Sequence, residues 1–424
     1  MKILIISHNC VDTFNNMGKT LKSLFQAFKK EELCQLYIYP TIPNVDICNS
    51  YFRVTDLDVL KAHFTFKVKG KIINKTEIRD SNELFENEEI KKKYRNNDKK
   101  TFFKKKLRDF LWGTSNWFNK DLKRWLDNEK PTHIFVAPGE KNFFYNIAFK
   151  CSNYLNIPIV TYICDDYYFI NQKNKFWDKM YQKKLKRNIE KLINKSSEII
   201  TICNELSQSY SKRFNKRCSI IMTGIDLKNK IENLCIDDIK TFSFFGNISK
   251  KRYLNIYDIG TAIDNINKKY KKDLKLTLYT DNTDEEIIKL LKRVNAIEYH
   301  QFVIGDEYSK ALRNTDIFIH TESFDSKYSD LVKHSISTKI PECLNSGKLL
   351  LAYGPSDIAS ISYLENNKCA FVITEKDNLE EKLYEIITKK ELRKEIIDEE
   401  IKIGKKNHNC IKNSERLYDI IKNI

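Results

Sequence analysis

Apolar residues along this chain fall into two kinds of run. Short clusters of β-branched and aromatic residues, closed off by polar or turn-forming residues, read as buried strands: Lys2–Ser7, Gln35–Pro40, His133–Ala137, Ile157–Ile163, Glu198–Cys203 and Ser219–Met222. Between them lie longer stretches of helical period. Thr20–Lys30 puts Leu21, Leu24, Phe25 and Phe28 on one face, at i, i+3, i+4 and i+7; Phe144–Leu155 and Trp177–Asn194 read the same way. A strand and helix that keep alternating predict βα units and a parallel sheet.

The rhythm breaks at Gly224-Ile225-Asp226, and a poorly patterned polar stretch, Leu227–Lys240, follows. A second series then begins. Its strands are expected at Phe242–Phe245, Leu274–Tyr279, Ile297–Val303, Asp316–His320, Lys348–Ala352 and Ala370–Ile373. Its helices are expected at Tyr257–Tyr270, Asp284–Arg293, Glu307–Arg313, Ile340–Leu344 and Ser356–Leu364. The fold class is therefore α/β, with two Rossmann-like βα domains at residues 1–226 and 241–404, joined by a linker at 227–240. Sheets of this kind bind ligands at the carboxyl ends of their strands, so a site in a cleft between the domains is the default expectation.

Length and composition narrow the class. The chain has 424 residues, which suits two or three domains, and its 12% aromatic content exceeds what disordered chains carry. No apolar run reaches the roughly 18–20 residues of a membrane span. The opening Met1–Ser7 burst is too short for a secretion signal and has no small-residue cleavage site. Eleven cysteines occur singly, without a CxxC pair, which fits reduced thiols in the cytosol better than a disulfide framework or a zinc cluster. A soluble cytoplasmic protein is expected.

Lys and Arg number 74 against 57 Asp and Glu, a net charge of +17. Such a surplus suits nucleic acid, an anionic membrane or anionic substrates. The abundance of Lys, Asn and Ile, with scarce Gly and Pro, also looks like drift in an AT-rich genome. Residues 61–130 break the βα rhythm and carry 20 Lys and Arg against 11 Asp and Glu, a surplus of 9. Lys91–Lys93, Lys99-Lys100 and Lys104–Lys106 lead into Phe110-Leu111-Trp112 and Trp117. One reading is a basic helical insert whose exposed aromatics meet an anionic membrane. The other is a solvated insert whose aromatics pack inward. Neither an RNP-like aromatic motif nor a zinc finger supports nucleic acid, and no such partner is expected.

Several short motifs offer chemistry. Gly18-Lys19-Thr20 follows a strand and precedes a helix, but a phosphate-binding P-loop needs a first Gly where Thr13 stands, and Phe14 and Met17 crowd its interior. Gly18 would instead admit a close backbone approach by an anionic or sugar group. Phe244-Phe245-Gly246-Asn247-Ile248-Ser249-Lys250-Lys251-Arg252 runs from a strand through a small turn to three cations. That environment suits a diphosphate, although a solvated basic turn would look the same. In Ser335–Gly347, Ser337 or Thr338 would cap a short helix carrying Pro341 early, and Glu342 would stand in its first turn. A carboxylate there can accept two hydrogen bonds from vicinal ribose hydroxyls, with Lys339 turned to phosphate; a helix-dipole Glu is the plainer account.

Taken in order, Gly246…Arg252 and Ser337-Thr338-Lys339…Glu342…Gly347 resemble the donor half of GT-B glycosyltransferases, especially family 4. In the first half, the N-terminal strand, Gly18 and Ile200-Thr201-Ile202…Gly224-Ile225-Asp226 agree. The resemblance covers nearly the whole chain apart from residues 61–130. It implies a sugar moved from a nucleotide-sugar, held by the C-terminal domain, to a glycan or lipid-linked acceptor on the N-terminal domain, in bacterial surface polysaccharide synthesis. It further implies a helix at 405–424 returning to the N-terminal domain, and retaining, metal-independent chemistry without a cofactor. Arg252, with Lys251 and Lys339, would stabilise the departing diphosphate, and Glu342 would hold the ribose. Gly246 and Asn247 would let the backbone approach phosphate or sugar, while Tyr279, Phe302 and Val303 would line the base pocket.

The chain departs from the family pattern at two points. His334, rather than Glu, lies eight residues before Glu342, with Glu322 further upstream where a loop would have to return it. Asn247 replaces the Arg that often follows the turn Gly. On the acceptor side the candidates are His8, with Gly18, and the pair Asp165-Asp166 at a strand end, which a loop cap explains equally well. Adjacent Asp residues point to opposite sides of an extended segment, so they are no DxD metal motif. Three rival readings remain: an inactive GT-B-like scaffold, a nucleotide-sugar epimerase, and a nucleic-acid binder with steep salt dependence. A lipid-linked acceptor would put the protein at the inner face of the cell membrane.

Overall fold

Ile3, Leu4, Ile5 and Ile6 are all fully buried, so strand β1 (Ile3–Ser7) must be covered on both faces, as only an interior strand is. The computed structural model describes residues 1–13, 15–65, 70–73, 78, 102–170, 176–227 and 238–424. Phe14, Lys91–Lys93, Lys99, Lys100 and most of the expected linker lie outside the described residues. Two compact units divide the chain: Met1–Gly224 with Cys410–Ile424, and Ile225–Asn409.

In the first unit β1 lies inside a sheet of eight strands. The others are β2 (Leu33–Tyr37), β3 (Ser50–Arg53), β4 (Lys71–Ile73), β5 (His133–Val136), β6 (Ile159–Ile163), β7 (Ser196–Thr201) and β8 (Cys218–Ile220). Their order is β4-β3-β2-β1-β5-β6-β7-β8, parallel except for β4. Strand order therefore reverses between β1 and β5, and the residues following these two strands meet at the switch point. The terminal helix Cys410–Lys422 packs on helix Asn16–Leu24, where the Ser414 hydroxyl accepts the Ala27 N–H at 2.9 Å.

The 61–130 segment is less foreign to the sheet than its charge suggests. Helix Lys120–Glu129 precedes β5 and is capped by Asn119, whose side chain accepts the Asp121 and Leu122 N–H groups at 3.0 Å. Trp125 from this helix lies against Phe52 of β3 and donates to the Ser50 hydroxyl at 2.9 Å. Trp112 and Trp117 pack inward, Trp112 stacked on Phe143 with ring centroids 4.6 Å apart. As membrane anchors these two tryptophans are thus excluded; the outward large apolar residues of helix Phe102–Thr114, among those described, are Phe103, Leu107 and Phe110. The expected helix Thr20–Lys30 is also corrected. It runs over Asn16–Leu24, because Phe25 and Phe28 turn inward together after it, edge to face at 5.1 Å.

The second unit carries β9 (Thr241–Phe245), β10 (Lys275–Thr280), β11 (Ile297–Gln301), β12 (Ile317–Thr321), β13 (Leu349–Tyr353) and β14 (Phe371–Ile373). Their order, β11-β10-β9-β12-β13-β14, is the 3-2-1-4-5-6 arrangement of nucleotide-binding sheets. Helices Arg252–Tyr270 and Leu379–Thr388 pack against each other beside the sheet. Phe242 and Phe244 of β9 sink into this core, each contributing about 2 kcal/mol by burial. The switch point lies between β9 and β12, so Gly246 and Glu322 leave adjacent strands at the same edge.

Gly354, just beyond β13, keeps that edge tight. A Cβ there would stand 2.8 Å from the Glu322 carbonyl oxygen and 3.2 Å from its nitrogen, both main-chain atoms. Gly354→Ala is therefore expected to push the end of β12 outward and cost about 2 kcal/mol, read as a lowered urea midpoint. A wild-type midpoint would contradict the packing account.

Candidate functional site

At the switch point of the second unit, Arg252 and Glu322 form a two-pronged ion pair. Nε donates to Oε2 at 2.9 Å and Nη2 to Oε1 at 2.7 Å. Arg252 opens its helix, and Glu322 is 6% exposed at the end of β12. Burial raises the Glu322 carboxyl above the usual range while the guanidinium pulls it down; with both oxygens held, the charged pair is the form the geometry supports. Asn255, one turn along the same helix, donates to the Thr321 hydroxyl and the Glu322 carbonyl, both at 2.8 Å. Glu322, the residue directly after β12, thus meets Arg252 at the strand end itself with no loop returning it, whereas His334 is part of a separate segment.

A second cation comes from the short helix Ile340–Leu344. Lys339 donates from Nζ to the Phe245 carbonyl, and a Cβ on Gly246 would lie 2.9 Å from that ammonium. Gly246 also has φ of +141°, a conformation that only glycine adopts easily. The Arg252 Nη1 faces the Asn247 carbonyl at 3.5 Å, so two cations converge on the main chain of residues 245–247. Lys251 is turned away, paired with Asp325 at 2.7 Å. Ser337 and Thr338 are half-buried. Neither caps the helix as expected: Lys339 is the N-cap residue and makes no side-chain cap, while the Ser337 hydroxyl accepts only the Lys339 N–H, at 3.4 Å.

Glu342 accepts the Tyr308 hydroxyl at 2.8 Å. Burial, then the Glu342 charge, raises the Tyr308 pKa, so this hydroxyl remains a donor and orients the carboxylate. Around the pair stands an aromatic group. Phe245, Tyr279 and His300 are register partners on β9, β10 and β11, with centroids 4.7 and 5.3 Å apart along the stack. Tyr308 meets Phe245 edge-on at 5.4 Å, and Phe302, 39% exposed, lies under the Lys339 ammonium at 5.0 Å. Val303, next to Phe302, is half-buried. Phe245, His300, Tyr308, Asn255 and Asp325 escaped the sequence reading. For the first two, the alignment of aromatic positions at successive strand ends was the available signal.

In the first unit, His8 follows β1 at the corresponding switch point. Its ring stacks on Phe144 at 4.0 Å, and Gly139, after β5, leaves room for it: a Cβ there would be 2.9 Å from Cε1. Burial, reinforced by Lys141 and Arg108, holds its pKa well below the usual value, so the imidazole is neutral. Nε2 is buried and meets no hydrogen-bond partner among the described residues. Gly18 is buried against Asp12, whose carboxylate would lie within 2.6 Å of an added Cβ and which accepts the Asn15 N–H at 2.6 Å. Asp12 therefore covers the helix start where an anionic group was expected. Asp166 is buried with Oδ1 accepting the Tyr168 and Phe169 N–H groups at 2.9 Å, the loop-cap arrangement, whereas Asp165 is exposed. Among the described residues no group of three or more His, Cys, Asp or Glu is gathered as a metal site.

No family model matches this sequence, and no curated protein matches it either. Solved structures do. Anabaena HepE, determined with UDP and glucose, has a TM-score of 0.62 at 12% identity, with 100% of both chains covered. Sucrose-phosphate synthase from Thermosynechococcus elongatus has a TM-score of 0.63 at 9% identity, covering 100% of this chain and 98% of its own. A UDP-forming trehalose-phosphate synthase from Burkholderia xenovorans gives 0.59 at 9% identity, covering 99% and 100%. Identities this low establish the fold, which is GT-B. Among the described residues no helix is long and apolar enough to cross a membrane.

Because Arg252 and Glu322 are each other's main partner, Arg252→Ala or Glu322→Ala is expected to cost about 3 kcal/mol. The double variant should cost less than the two together, and additive costs would show that the pair is not coupled. His320, bonded to Ser360 at 2.9 Å, is driven down by burial to about 3. Only the unfolded chain takes up its proton below about pH 6.5, so stability should fall from there toward pH 3, by at most about 1.4 kcal/mol per unit. Urea denaturation at pH 7 and pH 5 checks this, with His320→Asn expected to flatten the difference.

Proposed function

We propose that the chain is a glycosyltransferase of family-4-like type. It moves a sugar from a nucleoside-diphosphate-sugar to a glycan or lipid-linked acceptor in bacterial surface polysaccharide synthesis. The observation that carries the reading is the convergence of Arg252 and Lys339 on the Phe245–Asn247 turn, with Glu342 beside an aromatic cluster one short helix away. A nucleoside diphosphate has that profile: an apolar base, a diol and two phosphates. The GT-B fold and the UDP held by HepE support it.

Transfer breaks the bond between the sugar's anomeric carbon and the diphosphate oxygen and forms one to the acceptor oxygen. Negative charge grows on the leaving diphosphate, and Arg252 and Lys339, already fixed at the turn, would stabilise it without reorganising. Glu322 occupies one edge of the guanidinium, so the plane of Arg252 is set before a donor arrives. Glu342, oriented by Tyr308, would take the ribose hydroxyls, while Tyr279, Phe302 and Val303 would bound the base. Gly246 and Asn247 would bring main chain close to phosphate or sugar. These cations do the work often given to a metal, consistent with metal-independent chemistry.

On the first unit, neutral His8 would orient the acceptor hydroxyl through Nε2. In a retaining course the proton of that hydroxyl passes to the departing phosphate. Asp165 is a second candidate for the acceptor side; Asp166 is committed to its loop.

Titration of UDP, GDP, ADP, CMP and dTDP by calorimetry tests the donor site. One diphosphate should bind the wild type, and Lys339→Ala or Glu342→Ala should weaken it about tenfold or more, the effect of losing a charge-assisted hydrogen bond. Absence of all nucleotide binding would favour a scaffold protein over an enzyme.

A further inference from the structure

We infer that helices Phe102–Thr114 and Phe176–Lys195 form a docking surface for an anionic lipid bilayer. Phe103, Leu107 and Phe110 are 76%, 58% and 60% exposed. Spaced i, i+4 and i+7, they occupy about 60° of the helix circumference. Phe176, Trp177 and Met180, in the first turns of the second helix, are 68%, 49% and 46% exposed. Scattered apolar residues on a surface are ordinary, but six large ones on two touching helices are not. The helices are held together by Asp109–Lys184 at 3.3 Å, with Lys105 5.5 Å from the Tyr181 ring and Lys106 5.6 Å from that of Trp177.

Charge selects the occupant. Lys104 and Lys106 flank the first apolar stripe, and exposed Lys179, Lys183 and Arg187 continue the second helix. Apolar side chains with lysines at their border match the interface of an anionic leaflet, where rings enter the headgroup region and ammonium groups meet phosphates. A second copy of the chain would bring these cations together and is disfavoured on the same ground.

The position gives the surface a purpose. Lys105 lies 3.7 Å from Glu140, and the Tyr181 hydroxyl donates to the Glu140 carbonyl at 3.4 Å. Asp109 accepts the Phe143 N–H at 3.3 Å. Both helices therefore grip the segment after β5, whose Gly139 makes room for His8. A bilayer seated on their outer faces would lie about one helix thickness from that segment, bringing a lipid-linked acceptor toward the first unit. Only this purpose rests on the glycosyltransfer reading; docking itself needs no donor.

Flotation with vesicles of phosphatidylcholine, alone or mixed with phosphatidylglycerol, tests the inference on the full chain. The wild type should float with the mixed vesicles, less as salt rises, and not with phosphatidylcholine alone. Lys104→Glu with Lys106→Glu should lower partitioning at least about fivefold for each lysine. Phe103→Ser with Phe110→Ser should abolish flotation. Lys272→Glu with Lys289→Glu, elsewhere on the surface, should leave it unchanged. Thermal midpoints and nucleotide titrations of all variants show whether folding and the donor site persist, so a failed donor site and a failed docking surface are told apart. Absence of wild-type flotation, equal flotation of every variant, or a concentration-dependent oligomer that Phe103→Ser with Phe110→Ser dissolves would each overturn the inference.

Discussion

A carboxylate at 6% exposure cannot be left alone, and the switch point of the second sheet is arranged around that constraint. Glu322 requires Arg252, and Arg252 can meet it only because its helix begins directly after the turn at Gly246. Asn255 ties the same helix to the end of β12, and Gly354 lets β13 close against it. The pair adds little net stability in itself, since each charge loses its hydration. Its effect is geometric: one strand end, one helix start and one guanidinium plane are held in a single arrangement.

With that arrangement in place, the neighbouring groups fall into a graded series. Cations gather at the carboxyl ends of β9 and β12, the Glu342–Tyr308 pair lies beside them, and aromatic rings extend across β10 and β11. Polarity declines away from the switch point. The first unit uses its own switch point differently. There the central group is an uncharged imidazole packed on Phe144, with Nε2 buried and meeting no hydrogen-bond partner among the described residues.

Much of this was legible along the chain. Two series of buried strands and the break near Gly224 followed from period and turn residues, and motif order singled out Gly246, Arg252, Lys339 and Glu342, which the fold gathers around one switch point. The short strands Ser50–Arg53 and Lys71–Ile73 did not, because three or four residues leave too little periodicity. Helix Asn204–Phe214 was missed for the related reason that only Leu206, Ser207 and Tyr210 are buried in it.

Sequence alone determined the α/β class and the cations at the strand ends, since hydrophobic period and motif spacing are local properties. Tertiary structure decided which partner each charge took. Only strands brought side by side reveal that Glu322, seventy positions from Arg252, closes on it, that Lys251 is held by Asp325, and that Asp12 fills the space beside Gly18. It also decided which aromatics face outward: Trp112 and Trp117 turned in, while Phe103 and Phe110 remained exposed. Hydropathy alone gives no reason for the tryptophans to be inside and the phenylalanines outside. The side of the helix that meets the sheet, a matter of packing, separates them.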